Sequence, residues 1–415
     1  MRRLRYTLVG GPPSDEDHNI GNWYISTALI GVTDGGLWTF LPIYLARLGA
    51  SASLLGLYSS LPALLTILLV IPVGMLVERV TDQMRGLVRL ALVSRALVLA
   101  LILAPFYVPA AALPLFIVVL WALRTVPDTG SLPLWTSIAA RAVSPRRRAH
   151  VNGTRWALLS GTSALCLVAF GRWLDVATVP WAYQAVFLTS LVASLFELGF
   201  FSRLRVPLLS AQERVAAQTS LRKRLEDYVQ PLTGHRPFVR YLAATFGYRV
   251  ALNMPPALLT LLWVRELRAS DGLIGLRGTV NCIAFVLGYL AWGRSANRFG
   301  HRRLLRLCAL GAAGYVIASA LVPSASWLPV IAVLWGVSAS GIDVGFFDLL
   351  LHACPPGKET RFAAVACFVA NLAIFIGPLA GVALANATSV RIALIVAGLL
   401  QIVGTAGFAL LPGDV

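Results

Sequence analysis

The sequence predicts an all-α integral membrane protein whose twelve transmembrane helices form two six-helix bundles. Three observations predict it. Hydrophobic residues make up 58% of the chain and charged residues only 13%, about half the charge of a typical soluble domain. Apolar runs long enough to cross a bilayer as helices recur from end to end. The 35 Lys and Arg gather mainly in alternate loops, the pattern that orients membrane helices.

Apolar runs and the breaks between them place the first six helices at 22–46, 52–76, 87–106, 110–139, 149–171 and 181–201. After one long polar stretch, the second six follow at 239–263, 272–293, 303–322, 327–350, 361–385 and 390–410. The basic segments are the N-terminus, 77–89, 140–148, 202–238, 294–306 and 351–361. By the positive-inside rule these face the cytoplasm, with both termini. The expected organisation is a cytoplasmic tail (1–21), a first bundle (22–201), a cytoplasmic linker carrying an amphipathic helix (202–238) and a second bundle (239–411). The net charge of +17 is then a topology signal, and nucleic acid is not an expected partner. Five cysteines without paired spacing imply neither a disulfide framework nor a metal cluster.

An internal repeat relates the halves. Shifted by 219 residues, "LGASASLLGL" (48–57) lies over "LRASDGLIGL" (267–276) with six of ten positions identical. The same shift carries Gly74 onto Gly293 and Arg79 onto Arg298, and a shift of 215 carries "DTG" (128–130) onto "DVG" (343–345). Two halves in the same orientation make a parallel pseudo-twofold repeat.

The loop "GMLVERVTDQMR" (74–85) resembles the signature of the major facilitator superfamily: a glycine, an acid–base pair, then further basic residues. Its counterpart "GRSANRFGHRR" (293–303) keeps Gly293, Arg298, Gly300, Arg302 and Arg303, with Asn297 where the acid would stand. The first copy has Glu78 for the usual aspartate and Thr81 for a glycine. The resemblance covers essentially the whole chain. It implies that Gly74, Glu78, Arg79, Arg85, Gly293, Arg298, Arg302 and Arg303, with Arg361, form a cytoplasmic latch for one access state. The plainer alternative is that these arginines only fix topology. Helix 11 carries "IFIGPLAG" (374–381), small residues with a proline that suit close packing. Helix 5 lacks the proline of the related antiporter signature, which argues against drug efflux.

The resemblance also implies that helices 1, 4, 7 and 10 line a central cavity. The mid-depth charges fall on those helices: Asp34, Arg124, Asp128, Arg249 and Asp343. Intramembrane charges are costly and mark function. Trp121, Arg124, Asp128, Ser131 and Trp135 recur at spacings of three and four on one face, as do Thr27, Gly31, Asp34 and Trp38. Asn253 joins Arg249 on helix 7. For a single Trp or Thr the competing reading is packing between helices. Asp34, beside Gly35 and Gly36 where the helix can loosen, is the expected proton carrier, and a salt bridge to Arg249 is the alternative. Arg124 resembles the helix 4 arginine of proton-coupled members. Arg95, Arg155 and Arg277 are expected to snorkel to the interface, and Glu197 to lie near it.

The expected function is secondary active transport of a small organic solute by alternating access in the cell (inner) membrane, as symport or antiport with protons. A proton-independent facilitator, a lipid flippase and a non-transporting receptor or scaffold remain alternatives. No ATP-binding loop is present, and the five histidines are isolated, so neither a pump nor an enzyme is expected. No cofactor or metal is implied, and the chain is expected to be a monomer. Three acids against two arginines leave the charge of the solute undecided.

Overall fold

Ser14 starts the first helix: its hydroxyl accepts the Asp17 amide at 3.2 Å, and three acids occupy the first turn, where the positive end of the helix dipole favours them. The helix therefore begins at Asp15, seven residues before the apolar run. The computed structural model describes residues 14–77, 80–178, 181–207, 229–355 and 359–410, and these residues form helices without strands.

In chain order the membrane helices are α1 (Asp15–Arg47), α2 (Ala52–Val77), α3 (Gln83–Leu103), α4 (Leu113–Ala142), α5 (Pro145–Val176) and α6 (Trp181–Phe201). Then come α7, and α8 (Asp271–Phe299), α9 (His301–Leu321), α10 (Leu328–Ala353), α11 (Glu359–Ala387) and α12 (Val390–Gly407). Eleven of them are long and apolar enough to cross a membrane. The seventh is built in pieces: Arg236–Asn253, Pro255–Leu261 and a π-helical turn, Leu262–Glu266. Pro255 and Pro256 have no amide to give the preceding turn, so the helix restarts there. Pro127, by contrast, leaves α4 helical throughout. The predicted surface helix of the linker falls largely on residues 208–228, outside the described residues.

Small residues let the helices close on one another. A Cβ on Gly35 would stand 2.7 Å from the Ser163 carbonyl of α5. In the second half, one on Gly377 would meet the Val250 carbonyl of α7 at 2.7 Å, and one on Gly381 the Met254 carbonyl at 2.8 Å. The small residues of the helix 11 stretch thus seat α11 against α7.

The repeat is visible in the backbone. Gly49 follows α1 with φ +82°, and Arg268, its repeat equivalent, follows α7 with φ +47°. Glycine adopts that left-handed conformation freely; arginine pays about 1 kcal/mol for it. Arg268 is exposed, so Arg268→Gly is expected to stabilise the protein by about 0.5–1 kcal/mol. A melting temperature at or below the wild-type value would contradict this.

The two bundles meet at one end. On one side α5 packs on α8: a Cβ on Gly171 would stand 2.8 Å from the Asp271 carbonyl, and Thr279 donates to the Ala164 carbonyl at 2.8 Å. On the other side α2 meets α11, with Asn386 reaching Ser53 at 3.5 Å. The hydrogen bonds and ion pairs seen to join the bundles lie at Thr279 and Ala164 or beyond them, on the side away from the basic loops. The cleft between them opens toward the basic loops.

Candidate functional site

Asp34 occupies the first position of a π-helical turn, Asp34–Trp38, in the middle of α1. Such turns widen a helix and recur at functional sites; here Gly35 and Gly36 supply the space. Because Gly35 brings α5 close, the Ser163 hydroxyl donates to Asp34 Oδ2 at 2.7 Å, with Cys282 of α8 beside them. Asp34 thus stands where the bundles meet. It does not pair with Arg249, as the alternative sequence reading would have it.

Four predicted residues come together across α1 and α4. The Arg124 guanidinium lies 4.1 Å over the Trp121 ring and 6.0 Å from Trp38, and Tyr58 of α2 stacks on Trp121 at 5.3 Å. Its Nη2 meets Asp128 Oδ2 at 3.2 Å, while its Nε is buried without an acceptor among the described residues. Trp38 is 45% exposed although it sits mid-helix, so its ring does not fill a core.

The second bundle's residues stay apart. Arg249 stacks 4.0 Å over Phe346 of α10, and Asn253 donates to the Arg249 carbonyl at 2.7 Å. Asp343 takes the Tyr289 hydroxyl at 2.8 Å. Neither charge has the other as partner.

Three arginines expected to snorkel are held inside instead. Arg95 of α3 pairs with Glu197 of α6 at 2.5 Å, both largely buried, and Ser26 of α1 donates to the same carboxylate at 3.1 Å. Glu197 is therefore buried among α1, α3 and α6. Arg155 lies 4.1 Å over Trp23 and 5.4 Å from Trp135, and Arg277 lies 4.2 Å over Trp263. Their distance from the apolar midpoint suggested snorkelling; the aromatic faces that hold them belong to other helices, which no local spacing reveals.

Sequence reasoning also missed the closed end. Arg47 Nη2 meets Asp271 Oδ1 at 3.0 Å and the Ala269 carbonyl at 2.9 Å, and its Nε donates to the Tyr183 hydroxyl at 2.9 Å. Tyr183 in turn donates to Asp271 Oδ2 at 2.8 Å. Asp175 of α5 accepts the Gly272 amide at 3.0 Å and the Ser270 hydroxyl at 3.1 Å, and Arg265 donates to the Ala50 carbonyl at 2.5 Å. A signal was present: Asp271 is the position where the second repeat copy has an acid and the first has Ala52.

At the basic-loop end, Glu78 and Arg79 lie outside the described residues, as does the Arg298 side chain. Gly74 is in the last turns of α2. Arg85 pairs with Asp82 at 3.1 Å on its own helix end. In the second copy Gly293 and Arg303 are exposed, Arg302 donates to the Ala409 carbonyl at 2.7 Å, and Arg361 is half-buried at the start of α11. His301 pairs with Asp348.

A family model described as Major Facilitator Superfamily matches residues 23–262 and 241–415. No curated protein matches the sequence significantly. Among solved structures, a mutant of the nucleoside transporter NupG aligns with a TM-score of 0.74 at 10% identity, over 95% of this chain and 100% of that one. A POT family transporter in complex with 5-aminolevulinic acid aligns at 0.70 and 13% identity, over 93% and 94% of the two chains. A D-xylose-proton symporter aligns at 0.68 and 12%, over 94% and 95%. At such identities the likeness is one of fold.

Proposed function

The chain belongs to the major facilitator superfamily, and from that premise we propose that it moves a small organic solute across the cell (inner) membrane by alternating access, coupled to protons. Family and fold are those of multi-pass membrane transporters, not of enzymes. The observation that carries the reading is the asymmetric closure. Arg47, Tyr183, Asp175, Ser270 and Asp271 tie the bundles at one end, and on this reading Asp34, Arg124 and Arg249 face the cleft that reaches the other. Rocking the bundles about this mid-membrane charge group exposes it to each side in turn.

On this reading the basic end is cytoplasmic, the bundles span 22–201 and 239–411, and the chain works as a monomer. The loops around Glu78, Arg79 and Arg298 latch the cytoplasmic end when the cleft opens the other way. Asp34 carries the proton: its carboxyl sits at the bundle contact, with a serine hydroxyl as its side-chain donor. The solutes named for the similar structures, a nucleoside transporter and a xylose–proton symporter, set the size range and do not choose between them.

Transport in proteoliposomes tests this, using a solute selected for thermal stabilisation of the purified protein. Asp34→Asn is expected to abolish accumulation driven by a pH gradient while exchange at equal pH survives. Equal loss of both would give Asp34 a binding or structural role. Accumulation that ignores the pH gradient in the wild type would favour a facilitator.

A further inference from the structure

Each bundle carries an acid at the same repeat position, Asp128 in α4 and Asp343 in α10, and the two are answered differently. Asp128 has Arg124 one turn before it on its own helix, at 3.2 Å. The shift of 215 that carries Asp128 onto Asp343 puts Ala339 where that arginine would stand. Among the described residues Asp343 forms no ion pair, and its Oδ2 takes the Tyr289 hydroxyl of α8 at 2.8 Å. Its Oδ1 has no protein donor among them. The Phe285 ring packs edge-on against Tyr289, with centroids 4.9 Å apart.

Asp343 and Tyr289 face the cleft. Cys282 of α8 meets Ser163 of α5 where the bundles touch. Two helical turns toward the basic loops, the same two faces carry Tyr289 on α8 and Trp156 on α5. Both are exposed, at 38% and 63%, so the faces that touch at Cys282 and Ser163 have parted by that depth. On α10, at about 100° per residue, Asp343 lies between two packed sides. Val337 and Ser340 lie against Gly288 of α8, and the Phe346 carbonyl takes the Tyr241 hydroxyl of α7. Gly345, held by Leu305 of α9, is on the opposite side. Asp343 is exposed, and with Tyr289 it stands about 10 Å nearer the basic loops than the contact at Ser163.

We infer that the transported solute is an organic cation, and that Asp343 with the rings of Tyr289 and Phe285 receives its ammonium or amidinium group. This rests on the transporter reading above. A carboxylate on the wall of a membrane cleft calls for a counter-charge, and in the first bundle the chain supplies one from the same helix. In the second it does not. Arg249 leaves the role open: it stacks over Phe346 at 4.0 Å, on the α7 side of α10, and forms no ion pair among the described residues. A carboxylate beside aromatic rings is the chemistry that recognises an organic cation. The acid accepts the N–H donors in charge-assisted bonds, and the ring faces attract the remaining positive charge. The Tyr289 hydroxyl holds Oδ2 in place and leaves Oδ1 to the solute. Asp34, at the bundle contact, keeps the proton.

The test is a charge series applied to the purified full-length protein at neutral pH: phenethylamine, phenethyl alcohol and phenylacetate, then tryptamine, tryptophol and indole-3-acetate. The amines are expected to raise the melting temperature with saturable dependence, and the alcohols and acids to have little effect. Asp343→Asn is expected to weaken amine binding by about thirtyfold, and Tyr289→Leu by about fivefold. Asp348→Asn, which removes an acid of the same helix paired with His301, should leave it unchanged. If Asp343→Asn does not fold, the wild-type series and Tyr289→Leu still decide. Stabilisation by neither amine, equal stabilisation by the alcohols or acids, or wild-type amine binding by Asp343→Asn overturns the inference. Amine binding that needs Asp343 but gives no counterflow in proteoliposomes would sink the transporter reading and leave the cation site. Counterflow of an alcohol or acid with none of the amines would do the reverse.

Discussion

Arg47→Ala is expected to release the closed end of the cleft and shift the protein toward the state open on the side away from the basic loops. Arg47 makes contacts that no smaller side chain reproduces: to Asp271, to the Tyr183 hydroxyl and to the Ala269 carbonyl. Two of these partners, Asp271 and Ala269, belong to the other bundle. Without the guanidinium, Asp271 stays buried with Tyr183 as its remaining side-chain donor. Breaking a buried ion pair typically costs about 3–5 kcal/mol. Arg47 keeps 28% of its side chain exposed, so a discounted figure is about 2 kcal/mol. The chain need not bear this as lost stability, because separating the bundles lets water reach the carboxylate. The cost then appears as a population shift of about thirtyfold.

Spin labels at Ser51 and Thr388, both exposed near the closed end, report it. The wild type should give one short distance, and Arg47→Ala a second, longer population. Arg47→Lys should fall between them, since a single ammonium lacks the fork that reaches Asp271 and Ala269 together. Tyr183→Phe removes one donor and should shift the balance less. Distances unchanged in Arg47→Ala would reduce the cluster to local packing. The opposite half explains why Arg47 is free for this task. Its repeat equivalent is Glu266, which pairs with Arg391 of α12 at 2.8 Å inside its own bundle.

The fold was legible because its causes are local or periodic. Apolar run length, alternating loop charge and the repeat of 48–57 in 267–276 each act over a few turns, and together they placed all twelve helices. α1 starts seven residues before its apolar run because the acids of its first turn, Asp15, Glu16 and Asp17, carry no apolar signal. They cap the helix and pair outward: Asp17 with Arg147 at 2.8 Å and Asp15 with Arg205 at 2.7 Å. The sites divide the same way. Arg124 with Asp128, and the loosened turn after Asp34, follow from spacing within one helix. Arg95 with Glu197, Arg155 over two tryptophans and Arg47 with Asp271 join residues 102, 20–132 and 224 positions apart. Only helix packing brings those together, so the sequence supplied the charges without their partners.

Arg124→Gln is expected to lower transport more than tenfold while Asp128→Asn lowers it little, although the two side chains form an ion pair. A pair present only for stability would treat its members alike, and two leucines could replace it at small cost. The geometry is not that even. Asp128 holds one contact at 3.2 Å and is 38% exposed, so a neutral amide in its place loses little. Arg124 is 19% exposed, sandwiched by Trp121 and Trp38, with Tyr58 completing the stack. Glutamine would leave those rings without a cation and the cleft without a charge at its aromatic wall. The stack contributes about 1–2 kcal/mol when desolvated, and charge-assisted bonds to a solute add to it. Arg124→Lys keeps the charge and loses the plane, so an intermediate rate is expected. The Arg124→Leu, Asp128→Leu double variant separates the two explanations: it should insert and fold, and should not transport. Wild-type transport by a well-expressed double leucine protein would mean that the arginine is there for the aspartate.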